Sequence, residues 1–188
     1  MMTLSTEQNF AYMLALSLLL HGWALAMQGQ RQTGMAQMHQ GMAALQAPGA
    51  EHLRPYLLIL LAEAYRAGGH FKEGLHTLDE TQAAVERSGS HFFEAELYRL
   101  KGELLLDLTM TNHTVAAACF HHALAIARRQ QAKSLEFRAT TSLSRLWQRQ
   151  GKSAEARQRL GEILGWFTEG FTTPDLQEAG ALLEGMQA

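Results

Sequence analysis

The chain has one cysteine in 188 residues, which excludes an internal disulfide framework and a thiolate metal site. It has three prolines, too few for an array of strands and turns, so helices are expected. It has no excess of charge of either sign: 16 Lys and Arg stand against 18 Asp and Glu, which points to neither nucleic acid nor a membrane surface. Long hydrophobic runs are scarce. Phe10 to Met27 runs eighteen residues without a charge, but His21, Ser17 and Gly22 interrupt it, five of its residues are alanine or glycine, and no Lys or Arg precedes it. A helix apolar all round is more often buried between neighbours than in lipid, so this stretch reads as a buried helix, with no membrane and no leader. What is plentiful is apolar surface, 47% of residues against 18% charged, enough for one well-buried domain in a reducing cytoplasm.

Small residues recur at a period near forty. Gly22, Ala62, Gly102 and Ser144 are 40, 40 and 42 residues apart. Three residues after each comes a larger apolar side chain, Leu25, Tyr65, Leu105 or Trp147, and seven after three of them a turn glycine, Gly29, Gly69 or Gly151. A second small residue follows at Gly34, Gly74, Ala116 and Ala156, with Met38, Leu78, Phe120 or Leu160 four further on. Small residues let two helix backbones approach, and glycine supplies the positive φ that ends the first helix. The unit is therefore an antiparallel helix pair. One pair cannot cover its own apolar face, so the pairs should stack.

This is the spacing pattern of the tetratricopeptide repeat, lengthened either by about a turn per helix or by longer links between repeats. The expected fold is all-α: a right-handed tetratricopeptide-like superhelix of four antiparallel helix pairs, forming one domain over 1–188. The repeats fall at about 5–46, 51–88, 90–131 and 133–168. A capping helix over 173–186 starts with Thr173 as N-cap and Pro174 in its first turn, and carries Leu176, Ala179, Leu182, Leu183 and Met186 on one stripe. The third link, TMTNHT, lacks the turn glycine and should be the least regular.

Longer phrases carry a narrower likeness. GWALAMQGQRQTGMAQMHQGMAAL, HFFEAELYRLKGELLL, ACFHHALAIARRQQAKSLEFRATTSLSRLWQRQGK and GWFTEGFTTPDLQEAGALLE resemble the C-terminal tetratricopeptide segment of large bacterial regulators. Those regulators carry an ATPase region and often an adenylate or guanylate cyclase domain, with MalT-like activators more distant. The resemblance covers about residues 8 to 186. It implies a sensory or scaffolding segment and brings no catalytic residue with it, because neither the ATPase nor the cyclase region is in this chain.

Direct chemical signals are weak. Gly151-Lys152-Ser153 ends like a phosphate loop, but Leu146 stands where that loop needs glycine, so a repeat turn is the better reading. His121 and His122 point about 100° apart on a helix and cannot chelate together. Neither a metal nor any other cofactor is expected, Cys119 reads as small core filler, and no nucleophile and base accompany the glutamates, so no enzyme is expected. In stacked helix pairs the first helix of each pair lines the concave groove. The groove candidates are Trp23, Met27, Tyr56, Glu63 and Arg66, then Glu96, Arg99, Glu103 and Asp107, then Arg138, Arg145, Gln148 and Arg149. They form either a groove for a protein or peptide partner or solvated faces whose Glu–Arg pairs satisfy one another. Residues 128–159 hold nine Lys and Arg against Glu136 and Glu155, a basic band better suited to the chain's own acids or another copy than to nucleic acid. Phe10, Leu14 and Leu18 on the first helix are candidates for self-association into a homodimer. A bacterial, cytoplasmic protein-interaction module in signal transduction is the expected function; a small-molecule effector sensor and a self-assembly module are the alternatives.

Overall fold

A computed structural model describes residues 2–45, 50–109 and 111–186, with side chains described over 11–45, 51–109 and 111–186. Among the described residues the chain is all-helical, and it divides into two compact units, Met1–Phe93 and Glu94–Ala188.

The first unit holds α1 (Met2–Met27), α2 (Arg31–Ala44), a 3-10 turn (Ala50–His52), α3 (Arg54–Gly68) and α4 (Phe71–Ser88). The expected pairing is present, α1 with α2 and α3 with α4. The α1–α2 crossing is as close as the small residues imply. A Cβ on Gly22 would stand 2.6 Å from the Gly34 carbonyl oxygen and 2.9 Å from the Met38 nitrogen, so no larger residue fits without prising the helices apart. Gly29 and Gly69 close the turns with φ of +91° and +80°. The core runs through Ala15, Leu19 and Ala26 of α1, Met38 of α2, and Leu57, Leu61 and Ala64 of α3.

The second unit holds α5 (Glu94–Leu108), α6 (His113–Arg129), α7 (Lys133–Arg149), α8 (Ser153–Leu164) and α9 (Pro174–Glu184). Here α5 pairs with α6 and α7 with α8. At the first crossing Phe120 fills the space Gly102 leaves: a Cβ there would lie 2.5 Å from its ring. At the second, the Ser144 hydroxyl donates to the Ala156 carbonyl at 3.3 Å. In the third link Asn112 replaces glycine as the stop. Its side-chain amide donates to the Leu105 carbonyl at 3.1 Å, capping the end of α5 while its own carbonyl begins α6. Thr173 is the N-cap of α9, with Pro174 at its start, and Leu176, Ala179 and Met186 bury against Phe137, Ala156, Leu160 and Ile163.

Helix ends differ from the sequence expectation by a few residues. α3 begins at Arg54, where Pro55 sits in the first turn and a separate 3-10 turn precedes it; α5 begins at Glu94, after Phe92 and Phe93. α1 departs in another way. Its inner face is buried, but Met13 is 59%, Leu14 50%, Leu20 38% and Met27 38% exposed, so only one side of the apolar helix is covered within its unit. No described helix is long and apolar enough to cross a membrane.

Candidate functional site

The first helices of the pairs carry the candidate residues. α5 presents Glu96, Arg99 and Glu103 on one face, at i, i+3 and i+7. α7 presents Arg138, Ser142 and Arg145 at i, i+4 and i+7, opposite them. α9 adds Asp175 and Glu178. The Arg99 guanidinium is held fork-on by Glu96, Nη2 to Oε1 at 2.6 Å and Nε to Oε2 at 2.9 Å, and lies 3.5 Å from Glu103. The Ser142 hydroxyl donates to Glu103 at 2.6 Å and accepts from Arg99 at 3.4 Å. Arg138 joins Glu96 at 2.9 Å and Asp175 at 3.5 Å, and Arg145 joins Glu103 at 3.8 Å and also pairs with Glu178.

Arg138 and Arg145 are thus each bracketed by a buried carboxylate on α5 and an exposed one on α9. Glu96, Arg99 and Glu103 are almost entirely out of water, where an unpaired charge would cost several kcal/mol; the bidentate geometry and the serine hydroxyl offset that cost. The space left between Arg99, Phe137, Ser142, Arg145 and Asp175 is about 50 Å³, room for water and not for an effector. Glu96, Arg99 and Glu103 are therefore not open groove contacts. They satisfy one another, but inside the unit and not on a solvated face.

The other candidates divide. The Trp23 indole nitrogen donates to Glu63 at 2.9 Å, both half-buried, one repeat apart. Tyr56 stacks on Phe93 with ring centroids 4.5 Å apart. Arg66 and Gln148 are half-buried, while Met27, Asp107 and Arg149 are exposed. Leu14 is exposed and Leu18 half-buried; the Phe10 side chain lies outside the described residues.

Part of the basic band is consumed internally. Arg128 and Lys133 each reach the buried Glu136 at 2.7 Å, and Arg138 and Arg145 enter the network above. Burial raises the Glu136 pKa, but the hydrogen bonds and charges of Lys133 and Arg128 outweigh it and hold the carboxyl below its ordinary value. Burial pushes the Cys119 thiol up, with Lys101 opposing weakly. Among the described residues no group of three His, Cys, Asp or Glu could hold a metal ion.

Sequence reasoning missed Ser142, Asp175 and Glu178. The seven-residue spacing of Arg138 and Arg145 matches that of Glu96 and Glu103, which is a usable signal for pairing between neighbouring helices. The seat of α9 over α7 has no such signature, because its apolar stripe alone dictates that it packs.

Two crystal structures from Podosopora anserina resemble the chain: a kinesin light chain-like protein of nearly identical TPR-like repeats, and a single-residue variant of it. Each matches with a TM-score of 0.64 at 18% identity, over 94% of this chain and 94% of that one. The fold is therefore that of TPR-like repeats. No family model matches the chain, and no curated protein matches it significantly.

Proposed function

We propose that this TPR-like chain is a non-catalytic scaffold that binds a protein or peptide partner, as the regulatory segment of a cytoplasmic bacterial signalling protein of the ATPase and cyclase kind. TPR-like repeats commonly serve as protein-interaction scaffolds, and the phrases shared with those bacterial regulators suggest the setting. The observation that carries the reading is the Glu96–Arg99–Glu103–Ser142 network. With its charges engaged it offers no acid or base poised for chemistry, and it locks α5 to α7 as a rigid platform, which lowers the ordering cost of binding. On this reading Met27, Tyr56 and Arg66, with Trp23 and Glu63, make contacts in the first unit, and Asp107 and Arg149 separately in the second. Glu96, Arg99 and Glu103 position Arg138 and Arg145 from beneath. The 50 Å³ cavity favours a macromolecular partner over a small effector at this face, since small-molecule sites measure several hundred Å³.

The test is a photoreactive residue at Asp107 or Arg149 of the full chain, irradiated in the cells that make it. The expected product is a conjugate of one defined mass with a different protein. Conjugates with a second copy alone would replace this reading by self-assembly, and absence of any conjugate from either position would overturn it. Self-assembly has its own supporting observation, the exposed apolar side of α1.

A further inference from the structure

Met13, Ser17, Leu20, Ala24 and Met27 follow one another along α1 at spacings of four, three, four and three residues. Ala24 is half-buried and the others are exposed. Spacings of three and four alternate along the seam by which two helices pair. Size alternates along it too, large at Met13, Leu20 and Met27, small at Ser17 and Ala24.

That alternation fits its own image. A second α1, turned antiparallel about a two-fold axis between Leu18 and Leu19, sets position 20 opposite position 17 and position 13 opposite position 24. Each large side chain then meets a small one, in both copies at once. Facing positions of unequal size let two helices interdigitate closely, and a surface that complements its own two-fold image is what an isologous contact requires.

The other first helices do not share this property. The positions matching 17, 20 and 24 are Leu57, Leu60 and Ala64 on α3, buried in one core with residues of α1 and α2. On α7 they are Ala139, Ser142 and Leu146, buried where α5 and α6 pack on that helix. This is therefore the face on which a first helix receives neighbouring helices, and on α1 it stands open. Turned upon itself in the same way, α3 would set Leu57 against Leu60, large on large, and α7 would set Ala139 against Ser142, small on small. Reciprocal fit belongs to α1.

Electrostatics allow the same contact. An isologous interface brings a charge near its own copy, and like charges repel. Residues 8–30 contain no Asp, Glu, Lys or Arg. The Ser17 hydroxyl donates to the Leu14 carbonyl at 2.9 Å, so it carries no unpaired donor into the seam. His21, to one side, is already hydrogen-bonded to Gln37 at 2.8 Å.

We propose that α1 pairs antiparallel with α1 of a second copy of this chain, Leu20 seating on Ser17 and Met13 on Ala24, to form a closed two-fold dimer. This contact lies in the first unit and is separate from those of Asp107 and Arg149 in the second.

The test uses the full chain with Cys119→Ala, which removes its one cysteine. Met13→Cys and Ala24→Cys chains, one of them tagged, are oxidised alone and after mixing. A disulfide joining one tagged and one untagged chain is expected in the mixture and in neither chain alone. Position 13 faces position 24 and lies 11 residues, about 16 Å, along the axis from its own copy, beyond disulfide reach. Sedimentation then reads the packing. Ser17→Leu should raise the dimer dissociation constant about tenfold or more, with helical circular dichroism unchanged because Ser17 is exposed. Adding Leu20→Ser to that chain should restore dimerisation, since large again faces small. A surface that is merely apolar would instead bind more tightly in Ser17→Leu. Self-linking of either single variant, no link in the mixture, or undiminished dimerisation of Ser17→Leu would overturn the proposal. A monomeric wild type would also overturn it and give the face to helices of a different partner. A dimer through α1 neither requires nor prevents a conjugate with a different protein at Asp107 or Arg149, so the two readings fail separately.

Discussion

Single residues here are governed by where their charge can be satisfied. Glu136 shows this most directly, a carboxylate buried at the start of α7 with Arg128 and Lys133 each at 2.7 Å. Its pKa is lower in the native state than its ordinary value of 4.5, so folding favours the ionised form. That contribution is complete above the unfolded value and is lost as pH falls past 4.5 and through the lower native value. Urea unfolding from pH 7 down to pH 3 is therefore expected to show wild-type stability falling more steeply in the acid range than that of Glu136→Gln. Parallel profiles would mean the two cations do not stabilise the native carboxylate. The spacing of Glu96, Arg99 and Glu103 was legible as a shared helix face. Their burial was not, because it depends on α7 bringing Arg138, Ser142 and Arg145 against them.

At the level of helices, the small-residue crossings set the architecture. Gly22 admits α2 so closely that an added methyl group meets backbone atoms, which cannot step aside as a side chain can. Gly22→Ala should cost about 1–3 kcal/mol in denaturant unfolding, the range for overpacking a tight contact. Unchanged stability would mean that α1 and α2 separate at no cost. The helix pairs, the turn glycines and the Thr173–Pro174 start of α9 could all be read from spacing and cap chemistry, since both act over a few residues. The α1 face that stays uncovered was legible only in part: Leu14, named from the sequence, lies on it, but Leu18 is half-buried and Met13 and Leu20 were missed. That helix is apolar on every side, and without a polar face periodicity has nothing to orient it by.

For the whole molecule, the exposed Met13, Leu14, Leu20 and Met27 form a charge-free stripe that water solvates poorly. Sedimentation across a dilution series is expected to show a concentration-dependent dimer. Leu14→Glu with Leu20→Glu should return it to monomer without loss of helix, since both side chains point away from the core. A monomer at every concentration in the wild type would rule out this stripe as a self-contact.

The sequence by itself determined that the chain is helical, that its helices pair, where they turn and which small residues meet, because backbone preference and close approach are local demands written at fixed spacing. Only the tertiary structure decided which charges leave water, and that α9 supplies the outer carboxylates for Arg138 and Arg145. Desolvation and charge pairing depend on what the neighbouring helix presents at a given depth. That is a property of packing, which no single stretch of sequence carries.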